Sequence, residues 1–282
     1  MLPNLDNAQP TLHNLHSAAL LLKPLRQLFF ERQPNFIHLG LKIVPNGVST
    51  DLLPTGGEVT LSYRQRILIY QPAVGAAVNI QIREHTQADL FETLLQTIYV
   101  GELAGLISHN AGESFTDALF KAAPSLTNRS QPKREEVSGQ TPLQFDSASA
   151  NAYAQAFDAI FTGMAKFKAR LNGSLTPIVV WPEHFDASFL WFKDQPDEQH
   201  PHLNFGFAPF SYGIDYPYLY AYAYPYPAQF DAPKLPDGAR WNTEGWTGVV
   251  LPYSEIARQT NPALYVEDSC AAIFRSLREL LD

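Results

Sequence analysis

The chain has 282 residues, which is enough for one large domain or two ordinary ones with a sizeable core. Its apolar fraction of 45% and charged fraction of 17% indicate a folded globular protein. Its net charge of −8 argues against a general binder of nucleic acid or of anionic membranes, because both reward positive charge. The single Cys270 allows no internal disulfide, and neither a signal peptide nor a stretch of ~18 apolar residues is visible. We therefore expect a cytoplasmic protein.

The first half of the chain shows the periodicities of a helix, several strands and a second helix. Residues 11–31 repeat apolar side chains at three- and four-residue spacing, and Pro24 predicts a kink or break within them. A turn is predicted at residues 45–47, and Thr86 resembles the N-cap of a helix. The predicted elements after the first helix are strands Phe36–Val44, Val59–Tyr63, Arg66–Gln71 and Val78–Arg83, and helix Thr86–Leu106.

Residues 122–145 predict a linker, since they contain three prolines and a run of charges with little apolar periodicity. The second half begins with the clearest helix of the chain, Ser147–Leu171, and ends with a helix that has Asn261 as its cap and Pro262 in its first turn. The strands predicted between these helices are Pro177–Trp181, Ala187–Lys193, Leu203–Ala208, Tyr218–Tyr224 and Thr247–Pro252.

Both halves thus follow one order of helix, strands and helix. Strands that follow one another so closely pair mostly antiparallel, because parallel pairing needs long crossovers. We predict an α+β fold in which long helices pack on antiparallel sheet, with two helix–strands–helix halves as a hypothesis from element order alone. The predicted boundaries are 1–121 for the N-terminal half, 122–145 for the linker and 146–282 for the C-terminal half.

Six tyrosines at strict two-residue spacing are the most informative feature of the chain. A β-strand would place their rings on one face, and would place Leu219, Ala221 and Ala223 on the other. Three interpretations are open: a second apolar layer, a ligand pocket for sugars or other flat polar molecules, and a subunit interface. The tyrosines are Tyr216, Tyr218, Tyr220, Tyr222, Tyr224 and Tyr226.

A second cluster of polar groups follows Trp181. His184 and Asp186 are two residues apart, so a strand would direct both to one side, where they could form a general base with its partner or two metal ligands. The alternative is that Asp186 caps a turn. A metal site with His200 and His202 is disfavoured, since a hairpin centred near residues 196–197 would place His202 opposite Lys193 and far from His184. We predict no metal.

Basic side chains near the N-terminus form a third candidate cluster. Lys23 and Arg26 are three residues apart and could meet an anionic ligand beside His38, or they could be surface residues. Cys270 lies on the apolar face of the last helix and is predicted to be an inert core thiol. The chain contains none of the Gly-rich nucleotide loops, the His-Glu-x-x-His motif or the Gly-x-Ser-x-Gly elbow, which weighs against nucleotide-dependent and serine-nucleophile enzymes. No cofactor is predicted.

Three stretches resemble a known family, domain of unknown function 5996, whose members are bacterial proteins with no established activity. The resemblance covers about residue 20 to the C-terminus, and it is weaker around Lys23, Arg26 and His38. The family pattern often has Gly-Lys where this chain has Gly173-Ser174. The strongest matches are Phe167–Arg170 running through Gly173 and Pro177 to Trp181 and Phe185-Asp186, then Gly206-Phe207 with Pro209 and Tyr220–Pro225, and finally Leu251–Tyr253.

Three functional hypotheses follow. The first is a protein that binds a small polar or sugar-like ligand in a tyrosine-lined cleft. The second is a hydrolase or isomerase in which Asp186 is the general base and His184 or His38 its partner. The third is a non-catalytic assembly protein whose tyrosines form a homodimer face. The predicted ligand contacts are Trp181, Asp186, Tyr220, Tyr222 and Tyr224, with Lys23, Arg26 and His38 as contacts for an anion.

Overall fold

The structure, a computed structural model, describes residues 1–127, 131–226 and 232–281. The chain forms two compact units, one of Pro10–Asn151 and one that joins Met1–Gln9 to Ala152–Asp282. We call the first the inserted unit and the second the terminal unit. Both combine helices with antiparallel strands, so the predicted α+β class is confirmed.

The inserted unit begins with two consecutive helices, α1 (Gln9–Leu20) and α2 (Lys23–Phe29). The apolar side chains that predicted one helical face, such as Leu12, Leu15 and Leu25, are buried. Pro24 lies in the first turn of α2, where its missing N–H would have no partner within the helix. The predicted break is therefore confirmed.

Five strands of the inserted unit form an antiparallel meander in the order β1-β2-β3-β4-β5. The predicted turn at residues 45–47 joins the first two, with Val44 paired to Gly47. Asn46 there has a φ of 60°, which asparagine tolerates better than most residues. The strands are β1 (Leu41–Val44), β2 (Gly47–Ser49), β3 (Glu58–Ser62), β4 (Ile67–Gln71) and β5 (Val78–Gln81).

The predicted strand Phe36–Val44 is wrong in its first half. Residues Pro34–Leu39 form a 3₁₀ turn in which Asn35 and Phe36 have φ values of 54° and 55°, and extended structure begins only at Leu41. The cause is tertiary: the guanidinium of Arg26 donates hydrogen bonds to the carbonyls of residues 37 and 38 and holds this segment in its turn.

Helix α3 (Gln87–Ile98) starts where the sequence predicts, because the Thr86 hydroxyl accepts a hydrogen bond from the N–H of Asp89. The α-helix ends at Ile98, before the predicted Leu106, and a π-helical turn follows it over Tyr99–Leu103. The predicted linker 122–145 contains the end of helix α4 (Phe115–Leu126) and a 3₁₀ turn, while its residues 128–130 lie outside the described residues. The predicted boundaries of the linker and the two halves stay a prediction.

Helix α5 (Ser147–Ala169) passes from the inserted unit into the terminal unit, whose strands have the order β11-β12-β10-β9-β8-β7 with β6 paired to β8. Strand β10 has the bounds that the sequence predicts. The remaining elements are β6 (Ser174–Leu175), β7 (Val179–Trp181), β8 (Asp186–Phe192), β9 (His202–Ala208), β10 (Tyr218–Tyr224), β11 (Arg240–Asn242), β12 (Gly248–Pro252), α6 (Tyr253–Ala257) and α7 (Pro262–Arg278).

One face of the terminal sheet packs against helices α5 and α7. Phe167 of α5 lies with its ring centroid 5.0 Å from that of Phe205 and 6.1 Å from that of Phe189. Phe274 of α7 contacts the ring of Trp191 edge-on. Leu219 and Ala221 of β10 are fully buried on this side. The tyrosines of β10 therefore project from the opposite side of the sheet, away from its helices.

Candidate functional site

Strand β10 presents a continuous ladder of phenol rings on the face opposite the helices, which confirms the predicted alternation. Tyr218 and Tyr220 have ring centroids 6.1 Å apart, and Tyr220 and Tyr222 have centroids 6.2 Å apart with nearly parallel planes. We call the tyrosine face the surface formed by these rings, Tyr224, and the side chains of β7, β8 and β9 that point to the same side. The cross-strand register determines which residues of β7–β9 belong to the tyrosine face.

Tyr220 lies across strand β9 and hydrogen-bonds to a buried carboxyl group. Its hydroxyl donates to Oδ2 of Asp186, the first residue of β8. The ring passes over Gly206, where a Cβ would collide with it. Glycine at this position is therefore what permits a tyrosine of β10 to contact an aspartate two strands away.

Asp186 is a buried carboxyl group with one oxygen unused. The residue is only 7% exposed, and its carboxyl oxygen Oδ1 has no hydrogen-bond partner among the residues that the structure describes. Burial raises the pKa of Asp186, and the hydrogen bond from Tyr220 offsets part of this effect. Burial and the neighbouring carboxylate also raise the pKa of Tyr220 well above its usual value. The pair thus holds protons more tightly than either group would in water.

Trp181 and Ser188 extend the tyrosine face toward β7. Trp181 pairs with Asp186 in the strand register, and its indole N–H donates to the Ser188 hydroxyl over 2.8 Å. Ser188 is buried, whereas Trp181 is half-buried. The predicted contact Trp181 therefore lies beside the predicted key carboxyl Asp186.

Asn204 of β9 forms a second polar pair with the ladder. Its amide nitrogen donates to the Tyr222 hydroxyl over 2.8 Å, and the two residues are directly opposite in the register. The Asn204 carbonyl oxygen, Oδ1, is buried and has no hydrogen-bond partner within the described part of the chain. Two acceptors on one face, Asp186 Oδ1 and Asn204 Oδ1, are thus buried without a donor.

Aromatic rings at the edge of the tyrosine face are partly open to solvent. Trp246 packs edge-on against Tyr220 and Tyr222, with centroid distances of 6.2 and 6.3 Å. Tyr226 has its ring centroid 5.7 Å from that of Tyr222 and is 43% exposed. Tyr222, Tyr224 and Trp246 are half-buried. A small molecule could therefore contact ring faces here without a rearrangement of the strands.

At the far end of the ladder, Tyr224 stacks on His202 of β9 with ring centroids 5.1 Å apart. The predicted hairpin of β8 and β9 is confirmed. Its register differs by one residue from the prediction, since His202 pairs with Phe192 and not with Lys193. Burial lowers the pKa of His202. No group of three or more metal-ligating side chains occurs among residues 1–127, 131–226 and 232–281.

His184 does not share a strand with Asp186. It is exposed and lies in the four-residue loop between β7 and β8, which closes with the N–H of Phe185 donating to the Trp181 carbonyl over 2.7 Å. The predicted alignment of His184 with Asp186 required both residues to lie on one strand, and they do not. Phe185, the last loop residue, has a φ of 58°, which is a backbone conformation that bulky residues rarely adopt. Its ring is buried.

The predicted anion contacts Lys23, Arg26 and His38 lie in the inserted unit. The Arg26 guanidinium donates to three backbone carbonyls, including that of Thr50 over 2.6 Å, and burial lowers its pKa to about 10. Lys23 forms a buried ion pair with Glu136 at 2.8 Å. Nδ1 of His38 accepts the N–H of Gln33. The Lys23 charge is thus paired with a carboxylate of the protein, and the Arg26 guanidinium uses three of its donors on the backbone.

Four residues that contact the ladder or its polar groups were absent from the predicted site: Ser188, Asn204, Gly206 and Trp246. The alternation along β9 contains a signal for two of them, since polar or small residues at 202, 204 and 206 alternate with Leu203, Phe205 and Phe207. Ser188 and Trp246 have no such signal, because their positions follow from strand register and from a loop.

Comparison with known proteins identifies one family. The family model described as "Family of unknown function (DUF5996)" matches residues 2–277. No curated protein and no solved structure matches the chain. Within the described residues, no helix has the length and apolarity needed to cross a membrane.

Proposed function

The chain belongs to the DUF5996 family of unknown function, and from this premise we propose that it binds a small polar molecule on the tyrosine face. The observation that carries the proposal is the pair of buried acceptors, Asp186 Oδ1 and Asn204 Oδ1, that lack donors among the described residues. A buried acceptor without a donor costs about 1–3 kcal/mol, and more if it is charged. A ligand with two or more donor groups would remove this cost by displacing the side chains that cover these two oxygens.

The aromatic surroundings indicate the class of the ligand. Rings of Tyr222, Tyr226 and Trp246 offer apolar faces, and the Tyr222 hydroxyl accepts a hydrogen bond from Asn204, the residue that carries one of the two buried acceptors. A sugar or polyol has hydroxyl groups that donate to carboxylate and amide oxygens, and C–H groups that pack on rings. A hydroxyl-rich molecule, neutral or carrying an amino group toward Asp186, therefore matches the site best.

An acid–base enzyme is the second candidate, favoured by the environment of Asp186. Burial raises the pKa of this carboxyl group above its usual value, which is the direction that favours proton exchange by the general acid or base of a hydrolase or an isomerase. The residue before it, Phe185, has strained backbone, a feature that clusters at active sites. Tyr220 would hold the carboxyl in place, and His184 in the adjoining loop would be the mobile partner.

The binding proposal is tested by a thermal-shift screen of the full chain against sugars, polyols, amino sugars and nucleosides. A ligand present at ~100 times its dissociation constant adds about 2.7 kcal/mol of apparent stability, which shifts the unfolding temperature measurably. We expect a hit whose effect is lost in Tyr222→Ala. Tyr212→Ala is the matched control, since Tyr212 is fully exposed and outside the tyrosine face.

The variants also separate the competing hypotheses. Equal stabilisation of the Tyr222→Ala and Tyr212→Ala proteins by every hit would contradict binding at the tyrosine face. If a hit is converted chemically, Asp186→Asn should abolish turnover in the enzyme and only weaken affinity in the binding protein. Light scattering over a concentration series tests the remaining hypothesis of a tyrosine-rich dimer face, which requires a dimer that Tyr226→Ala weakens.

A further inference from the structure

A polar groove of about 680 Å³ lies at one end of the sheet in the inserted unit, independent of the tyrosine face. Its sides are the β1–β2 turn with Asn46, the β3–β4 turn with Arg64 and Arg66, and Asn151 of helix α5. Small-molecule sites typically have volumes of roughly 300–1,000 Å³. The groove is therefore large enough for an organic molecule of the size of a sugar phosphate.

Positive charge dominates this groove. Arg64 and Arg66 line it, and no acidic residue does. Neither arginine forms an ion pair with any residue that the structure describes, in a chain whose net charge is −8. Asp146, whose pKa is lowered mainly by hydrogen bonds from Ser149, also experiences the charge of Arg66, but beyond ion-pair distance. The Arg66 guanidinium donates one hydrogen bond to the Arg64 carbonyl over 2.8 Å, and its other donors and the Arg64 guanidinium have no ion-pair partner among the described residues. Both side chains therefore keep N–H groups that can bind an anion.

Hydroxyl and amide groups supplement the two charges. Ser62 and Thr60 of β3 line the groove, as do the side chains of Asn46 and Asn151. The Ser62 oxygen accepts the N–H of Gln65 over 3.2 Å, so its own proton can be donated elsewhere. Donors of this kind around arginines are the groups that bind phosphate oxygens.

The backbone holds Arg66 toward this groove at a cost. Its φ is 58°, in the left-handed region that disfavours non-glycine residues by about 1–2 kcal/mol, and its N–H closes the β3–β4 turn on the Ser62 carbonyl over 2.8 Å. A glycine would adopt this turn without strain. The geometry of the turn alone therefore does not require an arginine at this position.

We propose that the groove binds a phosphorylated small molecule, with Arg64 and Arg66 on the phosphate and the Asn46 and Asn151 side of the groove around the rest of the ligand. A phosphate monoester of a sugar has the charge for the arginines and the size for the volume, whereas inorganic phosphate would fill only a small part of it. This site is distinct from the one proposed above, so either proposal can fail without the other.

Isothermal titration calorimetry of the full chain at low ionic strength tests the proposal, with glucose 6-phosphate, inorganic phosphate, citrate and glucose as probes. We expect glucose 6-phosphate to bind more tightly than the other three. The double change Arg64→Gln and Arg66→Gln should weaken that binding at least about tenfold, since hydrogen bonds between charged partners are lost. Arg83→Gln is the matched control, since Arg83 is an exposed arginine of the same unit outside the groove, and it should change affinity less than twofold.

Four results would overturn the proposal: no binding of glucose 6-phosphate, equal affinity for inorganic phosphate, tighter binding of citrate, or unchanged affinity in the double variant. If the double variant does not fold, the single change Arg64→Gln at an exposed position serves in its place. Tyr222→Ala should leave the binding of glucose 6-phosphate unchanged, which keeps the two proposed sites experimentally separate.

Discussion

Asp186 is the residue in which burial, charge and hydrogen bonding conflict most. Tyr220 satisfies one carboxylate oxygen, but the carboxyl has lost its water, and burial raises its pKa. The native state therefore keeps a proton on Asp186 at pH values where the unfolded chain has released it. By linkage, the contribution of Asp186 to stability is complete below its unfolded pKa of ~3.9 and is lost as the pH rises to the folded pKa.

Asp186→Asn should remove this pH dependence, because the amide does not titrate. We expect the free energy of unfolding of the variant, relative to wild type, to increase as the pH rises from 4 to 8. Urea denaturation at a series of pH values measures it. Asp194→Asn, at an exposed aspartate of the same unit, is the control for the removal of a carboxylate. A constant difference between wild type and Asp186→Asn at all pH values would contradict the raised pKa.

The sequence identified Asp186, Tyr220, Tyr222 and Trp181 correctly as neighbours on one surface, because strand periodicity and a short loop almost determine that placement. It could not show that Tyr220 crosses β9 to the carboxyl, since this contact depends on a glycine in a strand that is distant in sequence. Arg26 is the converse case, because its tertiary contacts cannot be read from sequence spacing. Its spacing from Lys23 suggested an anion site, whereas three backbone carbonyls surround its guanidinium.

At the scale of elements, strands β9 and β10 pack closely because Gly206 of β9 has no side chain and the Tyr220 ring of β10 occupies that space. Gly206→Ala should force the Tyr220 ring off its position, because the new Cβ would collide with the ring. We expect a loss of about 1–3 kcal/mol, typical of overpacking, and a lost Tyr220–Asp186 hydrogen bond. Thermal unfolding followed by circular dichroism measures the loss.

Gly105→Ala is the control for this change, since a Cβ there meets nothing within 4 Å. It should be close to neutral. If Gly206→Ala were equally neutral, the ring could move without cost and the glycine would not be required for the tyrosine face.

Local signals predicted the elements whose own residues determine them. Strand β10 follows from alternation, and α3 starts at Thr86 because that hydroxyl caps the helix. Helix α4 was not predicted, although Ser114 caps it by accepting the N–H of Asp117 over 3.0 Å, a local signal of the same kind as Thr86 in α3. The N–H groups of Phe115 and Thr116 also bond to the carboxylate of Glu92 in α3, and the sequence around α4 does not show this second contribution.

At the scale of the whole molecule, the first nine residues belong to the terminal unit. The N–H of Leu2 donates to the carbonyl of Ala257 over 2.9 Å, and the Tyr253 hydroxyl donates to the carbonyl of Pro3 over 2.6 Å. Leu5 and Ala8 are 2% exposed. The sequence-based division into an N-terminal and a C-terminal half did not anticipate this contact, because polar residues interrupt the segment and it shows no periodicity.

Leu5→Ala should therefore destabilise the terminal unit, although residue 5 is remote in sequence from residues 152–282 of that unit. A buried leucine replaced by alanine costs about 2–5 kcal/mol. Hydrogen exchange measured by mass spectrometry should show faster exchange in the terminal unit and little change in the inserted unit. Leu2→Ala, at a half-buried position of the same segment, should have a smaller effect. Faster exchange confined to the inserted unit would refute the assignment of the N-terminal segment.

The N-terminal segment also has a consequence for biosynthesis. Gln9 donates a hydrogen bond to the carbonyl of Pro209, 200 residues later in the chain. A ribosome that adds ~5–20 residues per second needs roughly 10–40 s to make that stretch. Residues 1–9 are therefore synthesised well before their partners in the terminal unit, whereas the inserted unit is contiguous in sequence. Until those partners have been made, Leu5 and Ala8 are exposed apolar side chains within reach of nascent-chain chaperones.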